Sequence, residues 1–377
     1  MTHVAPVPVD LADPETVGIH PRRLQLFLDR VRLEVDEGPL PSAQVAVARN
    51  GRLVAFETYG DATNDKRYIL QSVGRTVVAA AVWKLISDGL LDVGELVADI
   101  IPEFATNGKH VVTVGQVLTH TAGFPFAPLG YPKMLDRRQR LESFARWRLD
   151  WEPGSRLQFH LTGAAWLIAE ITERKTGMAF PDYLRTAIVE PLGLGFLLPV
   201  PADRFGSVLA VPVAIDRTSD DQEVDPWGPW YLASPEVLAA GEPSHSIAGT
   251  AADVALLFQA LFHSGLWRAE VVAEATRIHV SDKPWGERIY GGSDDVANLA
   301  LFCTVSGEVG GSWTPRTGSA GTFGNGGAPC QLGFMDPEAG TSFAFLTNGY
   351  PLAGYDHSAL GRNRTINIGN LGNDLIR

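Results

Sequence analysis

The spacing of apolar positions changes along the chain, and these changes predict its organisation. Near the amino terminus, HPRRLQLFLDRVRLEVDEG (20–38) places apolar residues at helical intervals. The next segment, QVAVARNGRLVAFETYG (44–60), indicates two strands that are joined by a tight turn at Arg49-Asn50-Gly51. A helix that leads into a β-hairpin is therefore expected at the start of the chain.

Helical spacing dominates the middle of the chain, and strand patterns return near its end. The Ala-rich run TVVAAAVWKLISDGLL (76–91) predicts a buried helix that begins at Ser72 and stops at Gly89. Further helices are predicted in VTVGQVLTH (112–120), RLESFARWRL (140–149), TGAAWLIAEITERKTG (162–177), DYLRTAIVEPLG (182–193) and TAADVALLFQALFHSG (250–265). Strands are predicted in LALFCTVSG (299–307), CQLGFMDPEAG (330–340) and TSFAFLTNGY (341–350), with a turn at residues 337–340.

Strands at both ends with helices between them predict an α/β (α+β) fold. One sheet is assembled from both termini, flanked by helices, and a helical region is inserted into it. We expect residues 1–75 and 245–377 to form the sheet domain, and residues 76–244 to form a mostly helical domain.

Composition narrows the functional classes. The 377 residues are 45% hydrophobic and 20% charged, which is typical of a globular protein with a sizeable core. The formal net charge of −12, without a long basic tract, argues against nucleic acid as a partner. No membrane-spanning stretch and no signal peptide is apparent, so we expect a cytoplasmic protein that does not bind membranes. The two cysteines are too few for a disulfide framework, and no metal or organic cofactor is implied.

Four separated stretches carry a recognisable pattern. They are Ser72-Val73-Gly74-Arg75, VTVGQVLTHTAGFP (112–125), PGSRLQFHLTG (153–163) and FGNGGAPCQLGFMDPEAG (323–340). Together they make the chain similar to the serine β-lactamase and penicillin-binding-protein superfamily. Within it, the chain most resembles class C β-lactamase-like esterases and D-aminopeptidase-type serine hydrolases. The resemblance covers nearly the whole chain and implies an antiparallel sheet, an all-helical domain and a pocket between them.

The first motif of that superfamily is S-x-x-K, in which a serine nucleophile and a lysine share one face of a buried helix. The resemblance places the nucleophile at Ser72, but the lysine position is Arg75. A guanidinium stays protonated and offers no acceptor, so Arg75 is a poor general base, although it could orient Ser72 or hold an anion. The alternative for Ser72 is that its hydroxyl only caps the helix.

The second motif supplies a tyrosine, often as Tyr-x-Asn, that relays a proton to the leaving group. In this chain the aligned positions are Phe159 and Leu161, and neither side chain can transfer a proton. His160 lies between them, and a neutral imidazole there is a candidate base. The alternative is a framework histidine that faces away from the pocket. His120, in the LTHTAG segment, is interpreted as a structural histidine.

The third motif is Lys-Thr-Gly or His-x-Gly on the strand at the edge of the pocket. It aligns with Asn325-Gly326-Gly327, where Asn325 neither titrates nor carries charge. The resemblance implies an oxyanion hole formed by the backbone N–H groups of Ser72 and Ala328. Arg316-Thr317-Gly318 resembles the same motif, but its distance from the strand QLGFMDP fits less well.

Two functional hypotheses follow. The first is a serine hydrolase or acyltransferase that acts on a small ester, amide or lactam through Ser72, with His160 or a water as base. The second is a repurposed pocket without acyl-enzyme chemistry, in which Arg75, His160 and Asn325 bind or polarise a ligand for a cyclisation, isomerisation or elimination. In both, the partner is a small molecule, and the oligomeric state is open.

Two further features have less weight. The segment DPWGPWY (225–231) contains Trp227, Trp230 and Tyr231 where a loop is expected, so these aromatic side chains are candidates for lining the pocket. Cys330 lies close to the third motif in sequence, and we interpret it as a small buried thiol rather than a nucleophile.

Overall fold

The computed structural model describes residues 10–38, 40–211, 213–214, 232–281, 297–308, 314–328, 330–351 and 359–376. The α-helices in these ranges are α1 Pro21–Asp36, α2 Gly74–Ser87, α3 Val97–Ile100, α4 Val114–Leu118, α5 Arg137–Arg146, α6 Leu161–Thr176, α7 Phe180–Leu184, α8 Glu190–Leu192, α9 Pro235–Ala240, α10 Ala251–His263, α11 Ala269–Thr276 and α12 Ala359–Asn373. The strands are β1 Ser42–Arg49, β2 Arg52–Gly60, β3 Tyr68–Ile69, β4 Val213–Ala214, β5 Ala248–Gly249, β6 Asn298–Leu299, β7 Thr304–Val305, β8 Phe323–Gly327, β9 Gln331–Asp336, β10 Thr341–Thr347 and β11 Tyr350–Pro351.

The main sheet is assembled from both ends of the chain, as the sequence predicted. Its seven strands lie in the order β2-β1-β10-β9-β8-β7-β6. Every neighbouring pair in it is antiparallel. The α/β (α+β) fold class with an antiparallel sheet is therefore confirmed. The boundaries that divide the chain into a sheet domain and a helical domain stay a prediction.

The amino-terminal helix and hairpin are confirmed. Helix α1 begins with Pro21 in its first turn, where a missing N–H costs nothing, and ends at Asp36. Strands β1 and β2 are joined at Asn50 and Gly51, which have φ angles of 52° and 77°. Two consecutive left-handed residues are the geometry of a tight hairpin turn, and Asn-Gly is the pair that adopts it most readily.

The central helices occupy most of the predicted segments. Helix α2 begins at Gly74, two residues after Ser72, and stops just before Gly89, whose φ is 73°. The segment predicted as one helix at residues 182–193 is interrupted, because a π-helical turn, Arg185–Val189, separates α7 from α8. Within the described residues, no helix combines the length and apolarity needed to cross a bilayer.

Two elements near the carboxyl terminus differ from the prediction. The predicted strand at residues 299–307 is divided into β6 and β7, because Phe302 adopts a left-handed φ of 67° and its N–H donates to Leu118 O (2.8 Å). The tail also contains helix α12, which the sequence analysis did not predict because Gly and Asn are weak helix formers. Packing explains why α12 contains a glycine at position 372, since a Cβ there would lie 2.8 Å from the Phe343 ring of β10.

The apolar side chains form two cores on opposite faces of the sheet. Val45 and Val47 of β1 pack with α1 and α12 on one face, whereas Ala46 and Ala48 face the cluster that contains α2, α6 and α10. Successive side chains of a strand point to opposite faces, so β1 is buried on both. Strand β1 is therefore central to the fold, and α2 is anchored in the larger core.

Candidate active site

Ser72 lies at a sharp bend between β3 and α2. It is the central residue of a 3₁₀ turn, Gln71–Val73, and the preceding Gln71 has a left-handed φ of 51°. The residue that caps α2 is Val73, and no side chain forms a capping hydrogen bond there. Ser72 is half-buried, and its hydroxyl forms no hydrogen bond with the described part of the chain. This geometry does not support the alternative that Ser72 serves as a helix cap.

The end of strand β8 is packed tightly against the Ser72 turn. A Cβ at Gly327 would lie 3.1 Å from Leu70 O and 3.2 Å from Val73 N, so a larger residue would require the two backbones to move apart by a few tenths of an ångström. The contact is reinforced by Gln331 of β9, which donates to Ile69 O over 3.0 Å.

Ala328 directly follows Gly327, whose backbone packs against the Ser72 turn. Among the described residues, neither the Ser72 amide nor the Ala328 amide donates a hydrogen bond. The two backbone N–H groups that the resemblance implies for an oxyanion hole therefore have no acceptor among the described residues.

Arg75 and Phe159 are in contact beside this turn. Arg75 is only 4% exposed, and its Cζ lies 5.8 Å from the centroid of the Phe159 ring. The same ring contacts His120 edge-on, with 5.1 Å between centroids. The positions occupied by lysine and tyrosine in the resembled family are thus together in space, although here they hold a guanidinium and a phenyl ring.

His160 is held in the framework through both ring nitrogens. Its Nε2 accepts the Phe124 N–H (3.1 Å), and its Nδ1 lies 2.6 Å from Gln158 O. The proton of the neutral ring must then sit on Nδ1, where it is donated to the carbonyl. Burial lowers the pKa of His160 to about 3. Of the two interpretations of His160, this geometry favours the framework histidine.

His120 has the structural role that the sequence suggested. The ring is 3% exposed, and its Nδ1 accepts the backbone N–H of His160 (3.2 Å). Its pKa is well below the ordinary value because of burial, with smaller contributions from Arg75 and His160.

Asn325 faces the framework rather than the open side of the turn. Its side chain is 6% exposed, and Nδ2 donates to Thr76 Oγ1 (3.1 Å) and to Phe302 O (3.2 Å). Because Thr76 follows Arg75 in α2, this amide fastens β8 to the helix that starts at the candidate nucleophile.

The competing motif lies elsewhere. Thr317 donates to Asn370 O of α12 (2.6 Å), and the Arg316 N–H donates to Asn370 Oδ1 (2.7 Å). The Asn325-Gly326-Gly327 assignment is therefore favoured over Arg316-Thr317-Gly318.

The sequence analysis did not single out His245 and Glu242, which lie close to the Ser72 turn. His245 O accepts the Gln71 N–H (3.1 Å), next to the β3–β5 pair, so His245 flanks the residue before Ser72. Burial, and then the Arg75 charge, lower the pKa of His245 to about 3. Glu242 is fully buried, and burial raises its pKa to about 7 despite N–H donors from residues 244–246. Strands of only two residues leave no periodic signal that could have revealed this neighbourhood.

The remaining candidates lie outside this cluster. Trp227, Trp230 and Tyr231 are outside the described residues. Cys330 is buried in the core between the sheet and α1, in agreement with a structural thiol. In the part of the chain that is described, no group of three or more His, Cys, Asp or Glu side chains is arranged to hold a metal ion.

Comparisons with known proteins identify the family of this chain. The family model described as Beta-lactamase matches residues 27–366. A protein of Escherichia coli K12 named "Putative D-alanyl-D-alanine carboxypeptidase" is 27% identical over 213 residues, 48% of this chain and 48% of the relative. The chain thus spans about half the length of this curated relative.

Solved structures show the same fold. A penicillin-binding protein homolog from Caulobacter crescentus superposes with a TM-score of 0.75 at 24% identity, over 94% of this chain and 98% of that one. A family VIII carboxylesterase superposes with a TM-score of 0.76 at 21% identity, over 94% and 99% of the two chains.

Proposed function

Because the chain belongs to the beta-lactamase family, we propose that it is a serine hydrolase or acyltransferase that acts on a small ester, amide or lactam. The acyl group is carried on Ser72 Oγ. The observation that supports this most directly is the Ser72 turn. Its hydroxyl is half-buried and caps no helix, and the backbone N–H groups of Ser72 and Ala328 donate to no acceptor among the described residues.

Those amides would bind the oxyanion of the tetrahedral intermediate. Hydrogen-bond donors that are fixed before the reaction stabilise developing charge without reorganising, and this is commonly the largest single contribution to acyl transfer. The close packing of Gly327 on Leu70 and Val73 holds the two amides in place. Substrates with a carbonyl carbon and a leaving alcohol or amine match this arrangement.

Arg75 would contribute charge rather than proton transfer. It is buried one helical turn after Ser72, and a guanidinium does not give up its proton in proteins. Its positive charge therefore favours a negatively charged intermediate nearby, while the phenyl ring of Phe159 excludes water beside it.

The second candidate function is a pocket that binds a small ligand or catalyses a non-hydrolytic reaction. It is favoured by the Phe159 ring in place of a phenol and by the engagement of both His160 nitrogens. In that case Ser72 would not become acylated.

Covalent labelling tests the choice between them. The protein is incubated with a fluorophosphonate and with a nitrophenyl ester, and its intact mass is followed over time. We expect one adduct, located on Ser72 by peptide mapping and absent from Ser72→Ala. Ser155→Ala is the matched control, because Ser155 is exposed and its hydroxyl donates to Glu152 O. A folded wild-type protein that takes up neither reagent would favour the second function.

A further inference from the structure

Three imidazoles lie around the Ser72 turn, and their hydrogen bonds determine which of them has a free acceptor. In His160, Nε2 already accepts the Phe124 N–H. In His120, Nδ1 accepts the His160 N–H, so the neutral ring carries its proton on Nε2. Neither ring can therefore accept a proton from Ser72 without breaking a buried hydrogen bond, which is costly.

His245 differs from both. Among the described residues, its ring nitrogens form no hydrogen bond. Its Nδ1 lies 4.0 Å from Glu242 Oε2, and the Arg75 charge also acts on the ring. When Glu242 is ionised, its carboxylate on the Nδ1 side favours the tautomer with the proton on Nδ1. The lone pair of Nε2 is then free, and the side chain is 17% exposed rather than sealed in the core.

The backbone fixes His245 beside the candidate nucleophile. The Gln71 N–H donates to His245 O (3.1 Å), and the Leu70 N–H donates to Ile247 O (2.9 Å). The two segments therefore run side by side immediately before Ser72. Since Gln71 and Ser72 are consecutive, these bonds place the His245 backbone within one residue of the candidate nucleophile.

Glu242 holds the turn that carries His245. Its Oε2 accepts the N–H groups of His245 (2.8 Å) and Ser246 (3.1 Å), and its Oε1 accepts the N–H of Ser244 (3.0 Å). A carboxylate with three backbone donors is a strong local anchor. The residue that shapes the turn is thus also the residue that faces the imidazole.

From this arrangement we infer that His245, positioned by Glu242, is the proton acceptor for Ser72. This inference rests on the proposed acyl-transfer function and deepens it. As Ser72 Oγ bonds to the substrate carbonyl carbon, its proton moves to His245 Nε2 and the carbonyl electron pair becomes the oxyanion. When the bond to the leaving oxygen or nitrogen breaks, the same proton passes to that atom.

Deacylation repeats the cycle with water. Water bonds to the acyl carbon and gives one proton to His245 Nε2, which returns it to Ser72 Oγ as the ester bond to serine breaks. No oxidant, reductant or additional reactant is needed. Burial and the Arg75 charge lower the pKa of His245 to about 3, so the ring is neutral before the reaction and Nε2 carries a lone pair.

The test measures the rate constant for fluorophosphonate labelling of Ser72 in wild type and in His245→Ala. We expect the rate to fall about 100-fold, as is typical when a general base is removed. Added imidazole should restore part of it, which a purely structural loss would not allow. The melting temperature of each variant is measured. If His245→Ala does not fold, His245→Asn takes its place in the same measurement. His110→Ala is the matched control, because His110 is an exposed histidine far along the chain from Ser72.

The possible results separate this inference from the proposed function. Labelling of His245→Ala at the wild-type rate would overturn the role of His245 while leaving Ser72 as nucleophile. A slow variant that imidazole does not rescue would also overturn it, because the histidine would then only support the turn. A wild-type protein that is never labelled would overturn both.

Discussion

The two sides of the Ser72 turn are built from different chemical groups. One side consists of backbone, namely the amides of Ser72 and Ala328, with Gly327 packed against the turn. The other side consists of side chains, where Arg75 faces Phe159. The resemblance implies an oxyanion hole on the backbone side, whereas on the side-chain side a guanidinium and a phenyl ring hold the positions that align with lysine and tyrosine.

This difference follows from what each side requires. A backbone N–H points in a direction that the fold alone fixes, so it survives any substitution that preserves the packing. Proton transfer depends on a particular side chain with a suitable pKa. Replacing that lysine or tyrosine therefore abolishes the transfer. We therefore expect oxyanion binding to survive substitutions better than proton transfer does. Another group would then carry out the proton transfer.

The largest effect is expected from disturbing the backbone side. In Gly327→Ala the new Cβ would lie 3.1 Å from Leu70 O and 3.2 Å from Val73 N, so β8 must move away from the turn. We expect the labelling rate of Ser72 to fall about 100-fold, as when an oxyanion-hole donor is lost. Gly206→Ala is the matched control, because a Cβ there meets nothing within 4 Å. An unchanged rate in folded Gly327→Ala would show that the backbone side is not used.

A smaller effect is expected from rebuilding the side-chain side. Arg75→Lys together with Phe159→Tyr returns an amine and a phenol to positions that are in contact. We expect nitrophenyl ester hydrolysis to rise about tenfold, since a second acid–base pair becomes available. Arg75→Lys with Phe126→Tyr is the control, because Phe126 is 41% exposed and contacts Trp151 instead. Equal rates in the two double variants would mean that this side does not limit turnover.

The same contrast explains how much of the molecule could be predicted from sequence. The hairpin at Asn50-Gly51 and helix α2 followed from local patterns, because turn chemistry and apolar spacing act over a few residues. Helix α12 did not, because its stability comes from packing Gly372 against Phe343 rather than from helix propensity.

For the site, short motifs indicated Ser72, Arg75 and Phe159 as candidates, and the structure places Arg75 against Phe159. The orientation of Asn325 and the hydrogen bonds of His160 depend on partners that are distant in sequence, such as Phe302 and Phe124. His245 was missed for the same reason. Its position depends on backbone pairing between two short segments that are far apart in the chain.

The smallest expected effect is a change of unfolding free energy with pH. It tests whether His160 is a framework residue. Burial lowers its pKa from 6.5 to about 3. The unfolded chain therefore binds a proton first as the pH falls, and the contribution of His160 to stability is lost progressively below pH 6.5. Between pH 6.5 and 5.5, wild type should lose about 1 kcal/mol more unfolding free energy than His160→Asn. Urea unfolding of both proteins at the two pH values measures this difference. Equal losses would mean that the fold does not hold the imidazole neutral, and the framework role of His160 would then be wrong.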